Sequence, residues 1–313
     1  MATASTKPAS NTKLNEKTFA FWAFCGPMLL GVGFFTFVPI IWGFVLSLSD
    51  AHGTLKIRHF VGLANYQRVL GDSDFLYSLL TVFVFALFIV PLTYACSLGL
   101  ALLIDRAKWG RGWFRTILFL PTSVSYVVAS LVWKTSLFSG MPYGLVNMVL
   151  GHLGIAPILW VGTVTPPWFW LVLVTVRLWL QVGFYVVIFL AALQEIPESL
   201  YEAAKVDGAH GWQIFWHITL PQLRNTTAAV LLLNLIAAFQ AFDEFYNILN
   251  GGAGASLGNE GLAVTPLMYL YNTALADNQY GRGSAGAFVL TAILLLVTFC
   301  QWKFFGLGKA EEK

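Results

Sequence analysis

The chain reads Glu202-Ala203-Ala204-Lys205-Val206-Asp207-Gly208 and, nine residues further on, Ile218-Thr219-Leu220-Pro221. This polar stretch lies between two long apolar segments. Four acidic residues fall between Glu195 and Asp207, whereas the apolar segments on either side carry almost none. A stretch of this kind indicates a loop that leaves an apolar environment and meets water.

The composition of the whole chain points to lipid as its solvent. Of its 313 residues, 58% are hydrophobic and 11% are charged, and the mean hydropathy is +0.71. Soluble domains carry about 25% charged residues, so this chain cannot cover a water-facing surface. The net charge of +3 gives no reason to expect a nucleic-acid partner. Cys25, Cys96 and Cys300 lie in apolar runs, so we expect buried small side chains and neither a metal site nor disulfides.

Apolar runs long enough to cross a membrane recur along the sequence, since about 20 apolar residues suffice. They predict an all-α polytopic membrane protein with six transmembrane helices at 18–49, 75–104, 116–133, 168–193, 225–247 and 284–305. The first is too long for a signal-peptide core and is expected to be retained. We expect polar tails at 1–17 and 306–313, a helical core over 75–305, re-entrant or surface-lying structure at 134–166 and a short surface helix near 267–275.

The distribution of Lys and Arg predicts the orientation. Twelve of these residues fall in segments that are cytoplasmic if the N-terminus is inside, and five fall in the segments on the other side. Both termini are therefore predicted to be cytoplasmic, and so is the polar stretch of the opening motif.

Local signals give this stretch a shape. Pro197 and Glu198 suit the first turn of a helix, where a proline loses no hydrogen bond and an acid meets the positive end of the helix dipole. Gly208 suits the C-terminal cap, because only glycine takes the left-handed conformation cheaply. We expect a helix, a tight turn and a second short helix lying parallel to the membrane. One helix face, spaced at three and four residues, carries Leu200, Ala203, Ala204 and Asp207.

The spacing Glu-Ala-Ala, three residues, Gly, nine residues, Ile-x-Leu-Pro resembles the cytoplasmic signature of permease subunits in binding-protein-dependent ABC importers. The chain matches that signature at Glu202, Ala203, Ala204, Gly208, Ile218, Leu220 and Pro221. Further stretches resemble the carbohydrate, maltose-type branch of the family: 61–66, 119–121, 196–200, 207–209 and the Gly251-Gly252 turn. Ala253 departs from the proline that often follows this turn.

The resemblance implies that this chain works with other subunits. The segment 195–221, here called the coupling segment, would dock into a cleft on a cytoplasmic ATPase. It also implies a second permease subunit (a heterodimer), two ATPase subunits, an extracytoplasmic solute-binding protein and a bacterial or archaeal cytoplasmic membrane. ATP and Mg would be used by the ATPase, and this chain, which has no G-x-x-x-x-G-K-[ST] loop, would bind no cofactor. The implied coupling residues are Glu202, Ala203, Ala204, Asp207, Gly208, Ile218, Leu220 and Pro221.

Polar residues inside the apolar helices are candidates for a solute path. Arg177, Gln181 and Tyr185 share one face of the fourth helix, and Asn234 and Gln240 lie in the fifth. The alternative for Arg177 is outward snorkelling combined with hydrogen bonds between helices. The alternative for Asn234 is a packing hydrogen bond. The neighbouring acids Asp243 and Glu244 are expected at the membrane interface.

The sequence therefore predicts the transmembrane subunit of an ATP-driven importer for a sugar or oligosaccharide. The alternatives are an ABC permease for glycerol phosphate or a polyamine, and an ion-coupled secondary transporter, which would need a deep acidic or histidine relay. We expect no catalytic residues. His210 and His217 lack a third ligand, so no metal site is predicted.

Overall fold

The computed structural model describes residues 11–57, 59–107, 109–163, 165–250 and 263–305. These residues form helices and loops, with one isolated antiparallel bridge between Ser49 and Phe60. The tails at 1–10 and 306–313 and the predicted Gly251-Gly252 turn with Ala253 lie outside them. The α-helices are α1 (Asn11–Val32), α2 (Val38–Ser47), α3 (Ala64–Leu70), α4 (Ser73–Arg106), α5 (Arg111–Phe119), α6 (Tyr126–Val132), α7 (Leu145–His152), α8 (Phe169–Gln194), α9 (Glu198–Val206), α10 (Gly211–Ile214), α11 (Leu220–Gln222), α12 (Arg224–Phe239), α13 (Asp243–Phe245), α14 (Pro266–Tyr271) and α15 (Tyr280–Phe305).

Within the described residues, four helices are long and apolar enough to cross a membrane. They are Thr18–Ser47, Ser73–Arg106, Phe169–Gln194 and Tyr280–Phe304. Two further pairs of helices meet this criterion together but are bent at a short break, by 94° between Arg111–Ser123 and Tyr126–Leu137 and by 43° between Arg224–Phe239 and Asp243–Leu249. The described chain therefore has four spans, or up to six if each bent pair is one span.

The bent pair at the fifth helix corrects the prediction of one uninterrupted helix at 225–247. At the third, Pro121 interrupts the apolar run at 116–133 and lies in a 3₁₀ turn at Leu120–Ser123. At the fifth, α12 ends at Phe239 and α13 begins at Asp243. Neither a proline nor a glycine lies between them, so the local sequence gave no signal for this second break.

The chain divides into two compact units, of which the first comprises residues 1–68 and 273–288. Asn65 organises part of it, because its Nδ2 donates hydrogen bonds of 2.9 Å to the carbonyl oxygens of Ser47 and Ser49. The first span in this unit exposes large apolar side chains such as Phe24 and Leu30. That is the surface expected of a helix whose solvent is lipid.

The second unit comprises residues 69–272 and 289–313. Its core lies where α4, α8 and α12 pack along their apolar faces, because each helix alone can bury only a stripe of its surface. The buried side chains of this core are Leu98, Ala101, Ile104, Val182, Tyr185, Val186, Phe189, Leu190, Leu193, Leu223 and Val230.

Gly183 allows two helices of this unit to approach closely. A Cβ atom placed on Gly183 of α8 would lie 1.8 Å from the carbonyl oxygen of Leu118 in α5. Only a residue without a side chain fits between the two backbones at this point. Small residues serve this purpose at the contacts of membrane helices.

The segment 134–166 is held together by Asn147 of α7. Its Nδ2 donates to the carbonyl oxygens of Ser139, Met141 and Ile158 at 3.0–3.2 Å. Its Oδ1 accepts from the backbone N–H of Ile158 at 3.1 Å and from the indole N–H of Trp160 at 3.0 Å. This one buried side chain therefore ties three parts of a glycine-rich segment to each other.

The prediction of buried cysteines is wrong. Cys25 and Cys96 are half-buried and Cys300 is exposed. The reason is physical: in a membrane protein an apolar side chain meets favourable surroundings on the lipid-facing side as well as in the core, so apolar character does not imply burial.

Candidate coupling segment and polar cluster

The coupling segment begins with α9, whose N-cap is Pro197 and whose first turn contains Glu198. At its other end, Gly208 has φ +76° and donates its N–H to the carbonyl of Lys205 at 3.1 Å. The N–H of Ala209 bonds the carbonyl of Ala204 at 2.9 Å. Gly208 thus closes the helix in the left-handed conformation expected from the sequence.

A second helical arm follows the turn. The backbone N–H of His210 bonds the Gln213 side chain at 2.9 Å, which fixes the start of α10. The backbone stays helical through a π-helical stretch at Phe215–Thr219 and through α11. The Tyr201 hydroxyl and the Thr219 Oγ1 lie 3.3 Å apart and connect the two arms. A concavity of about 250 Å³ lies at the turn, lined by Asp207, Gly208, Ala209, Gln213, Ile214, His217 and Ile218.

The predicted coupling residues divide into outward-facing and inward-facing groups. The outward-facing group comprises Glu202, Ala203, Asp207, Gly208 and Pro221, which are all exposed. The inward-facing group comprises Ala204, which is buried, and Ile218 and Leu220, which are half-buried. The inward residues attach the segment to its own chain, and the outward residues form the surface that a partner can reach.

Residues outside the predicted set complete this attachment. Ile196 and Phe215 pack against the core of α4, α8 and α12, as the predicted Leu220 does, and Leu223 is fully buried in it. Their apolar side chains, in an otherwise polar segment, are the sequence signal that could have found them. Both ends of the coupling segment are therefore anchored to the helices that form the core.

The candidate solute-path residues do not form one open surface. Tyr185 and Asn234 are buried, Gln181 is half-buried and Gln240 is exposed at the break of the fifth helix. The Asn234 Nδ2 donates to the Val90 carbonyl of α4 at 3.4 Å, which is the contact expected of the packing alternative.

Arg177 lies at the centre of a buried polar cluster. Its side chain does not snorkel outward: its Nη1 donates to the Glu244 carboxylate at 2.6 Å, and the two side chains are 6% and 1% exposed. Its Nη2 donates to the Ala237 carbonyl, and the Tyr126 ring lies 5.1 Å from its Cζ. Glu244, which the sequence predicted at the interface, is thus buried, because it neutralises a guanidinium 67 positions away.

Comparison with known proteins decides the family. Residues 94–301 match the family described as the binding-protein-dependent transport system inner membrane component. The chain belongs to this family. The resemblance found from the coupling motif is confirmed, and the multi-pass membrane character indicated by the apolar helices agrees with it.

Individual relatives extend the match over most of the permease. The trehalose/maltose transport system permease protein of Thermococcus litoralis is 34% identical over 270 residues, which cover 86% of this chain and 88% of the relative. The sn-glycerol-3-phosphate transport system permease protein of Agrobacterium fabrum is 35% identical over 261 residues, which cover 82% of this chain and 83% of that relative. A crystal structure of a bacterial ABC transporter involved in the import of the acidic polysaccharide alginate shares the fold, with a TM-score of 0.80 and 22% identity. The match covers 94% of this chain and 97% of the chain in that structure.

Proposed function

We propose that this chain is the transmembrane subunit of an ATP-driven ABC importer that takes up a sugar or oligosaccharide delivered by an external binding protein. The observation that carries the proposal is the coupling segment: the family signature lies on an exposed helix and turn anchored at both ends to the core. The family match and the trehalose/maltose relative support the same function.

The proposed mechanism is mechanical and involves no covalent chemistry in this chain. Glu202, Ala203, Asp207 and Gly208 form the surface that docks on a separate ATPase subunit, which binds ATP and Mg. Closure of the ATPase subunits moves α9 and its turn. The second arm passes that motion to α12 because the backbone is helical from Gly211 to Gln222 and again from Arg224 to Phe239. The solute cavity then alternates between outward and inward access.

The assembly we propose counts each bent pair as one span. This gives six spans with both termini in the cytoplasm, in agreement with the excess of Lys and Arg on that side. The chain would lie in the cytoplasmic membrane of a bacterium or archaeon with a second permease subunit, two ATPase subunits and an extracytoplasmic binding protein. The resemblance of the motif supports these partners.

The similarity to a glycerol-phosphate permease raises a second candidate solute. A phosphate would need cationic donors in the path. Arg177, the charged residue of α8, is neutralised by Glu244 and offers no uncompensated charge, which favours a neutral sugar. The same pairing disfavours an ion-coupled transporter, because a buried acid already bound to arginine is a poor proton or cation carrier.

Gly208→Val tests the coupling function in the reconstituted importer. A Cβ atom at Gly208 meets no atom of this chain within 4 Å, so within the chain the substitution acts through the backbone conformation at φ +76°, which valine adopts poorly. Gly211→Val is the matched control, since its site is equally open but has no positive φ. We expect Gly208→Val to lower ATP-driven uptake at least about tenfold, a cost of about 1.4 kcal/mol in coupling. Uptake equal to that of the control, or uptake driven by an ion gradient without ATP, would contradict the proposal.

A further inference from the structure

The break in the fifth span leaves a backbone carbonyl without its normal partner. In a continuous helix the N–H of Ala241 would bond the carbonyl of Ala237. Here it bonds the carbonyl of Ala238 instead, at 3.2 Å. Inside a membrane no bulk water replaces a lost hydrogen bond, so a broken helix persists only where neighbouring groups satisfy the freed backbone.

Arg177 of α8 supplies the missing donor and reaches across the break. Its Nη2 donates to the Ala237 carbonyl at the end of α12. Its Nη1 donates to the Glu244 carboxylate in α13, at 2.6 Å. One guanidinium therefore contacts both halves of the broken helix.

The electrostatics suit this arrangement. The C-terminal end of α12 carries the negative end of a 16-residue helix dipole, which favours a cation. Arg177 is 5% exposed and Glu244 is 1% exposed, so each charge needs the other. A buried charge left without its partner is strongly destabilising.

A second contact holds the outer half of the broken helix from another side. The Lys134 ammonium, in the half-helix Tyr126–Leu137, donates to the Asn247 carbonyl at 3.3 Å. The ring of Tyr126, which begins that half-helix, covers the guanidinium of Arg177. Two N–H groups of Arg177 are therefore bonded to the broken helix and one face of its guanidinium is covered, although its buried Nε has no partner among the described residues.

We propose that Arg177 is a positioning residue that, with Glu244, fixes the bend of the fifth span. Arg177 extends from α8 and bonds the Ala237 carbonyl in the inner half of the fifth span and the Glu244 carboxylate in its outer half. The consequence for transport rests on the proposed function: α12 follows the coupling segment directly, and a fixed bend transmits its displacement to α13 instead of absorbing it at the break.

The test compares Arg177→Met, Glu244→Gln and the double variant Arg177→Met/Glu244→Met in the assembled importer. Arg68→Met is the matched control, because it removes an exposed guanidinium from α3. Hydrogen–deuterium exchange over residues 240–249 measures the bend without requiring transport. Uptake kinetics give the apparent KM and Vmax.

We expect Arg177→Met to speed exchange over 240–249 and to lower Vmax at least about tenfold, with KM unchanged, since the interaction lost is not one with solute. The double variant removes the unpaired charge but leaves the Ala237 carbonyl uncapped, so its exchange stays faster than in the control. Glu244→Gln keeps an acceptor of the same shape, and its smaller increase in exchange is measurable even if Arg177→Met fails to assemble.

Three results would overturn the inference. The first is an exchange rate in Arg177→Met equal to that in Arg68→Met. The second is a raised KM at unchanged Vmax, which would make Arg177 a solute ligand, and the third is exchange in the double variant at the control level, which would reduce the role of Arg177 to charge pairing. Failure of the unsubstituted importer to take up solute with ATP would contradict the proposed function instead, and the exchange comparison would still test the bend.

Discussion

Replacing Gly183 with alanine should separate α5 from α8. The added Cβ would lie 1.8 Å from the Leu118 carbonyl oxygen and 2.5 Å from its carbon, whereas ordinary contact begins near 3.4 Å. The two backbones must therefore move apart by about 1.6 Å. The clash is with backbone atoms, so no side chain can rotate away to relieve it.

The cost of this substitution follows from the overlap. Overpacking a well-packed contact costs about 1–3 kcal/mol and occasionally more. We place Gly183→Ala near the upper end, at about 3 kcal/mol, because relief requires a helix to move. That corresponds to roughly a hundredfold change in the ratio of folded to unfolded protein.

Gly99→Ala provides the matched control. Gly99 lies inside α4, seven residues before its last residue, and a Cβ placed there meets no atom within 4 Å. Alanine is a better helix former than glycine by about 0.5–1 kcal/mol, so this control should be neutral or stabilising. Denaturation of the chain in detergent micelles, followed by the fluorescence of its 12 tryptophans, measures both variants. If Gly183→Ala proved as stable as Gly99→Ala, the close contact of α5 and α8 would be refuted.

Two further substitutions test contacts within the second unit. Asn147→Ala should release residues 139–160, because it removes two N–H donors, shared among three carbonyl oxygens, and an Oδ1 that accepts two hydrogen bonds, at about 1 kcal/mol for each full hydrogen bond lost. Limited proteolysis should then cut this segment faster, and an unchanged cleavage rate would argue against its role. Tyr269→Phe removes a 2.6 Å hydrogen bond to the Asp72 carboxylate and should lower the free energy of unfolding by about 1.5–3 kcal/mol in the same assay. The control Tyr271→Phe should leave the free energy of unfolding unchanged.

The geometry of the coupling segment follows largely from local sequence signals. Pro197 and Glu198 mark the start of α9 and Gly208 marks its end, because the backbone requirements of these positions restrict which residues fit. The structure has α9 between Glu198 and Val206 and Gly208 at φ +76°. The ATPase partner proposed for this segment follows from the resemblance of the motif and not from these signals.

Contacts between distant parts of the chain could not be read in this way. The break after Phe239 has no proline or glycine to announce it, and the group that stabilises it, Arg177, lies 60 positions before Ala237. The sequence identified Arg177 and Glu244 as polar residues in apolar surroundings but could not pair them. The contact at Gly183 could not be predicted either, since a single glycine in an apolar helix does not reveal which backbone approaches it.

The coupling segment and the Arg177 pair lie at opposite ends of the same helix. α12 has 16 residues and is therefore about 24 Å long, with Pro221 shortly before its start and the break just after its end. In the proposed mechanism, a force applied at the coupling segment reaches α13 only if the break does not yield. A straight helix would meet this requirement without a buried charge pair, but it could not turn the chain by 43°. A bend that is capped and cross-linked by Arg177 provides both the change of direction and the stiffness, which explains why a costly ion pair lies at this position.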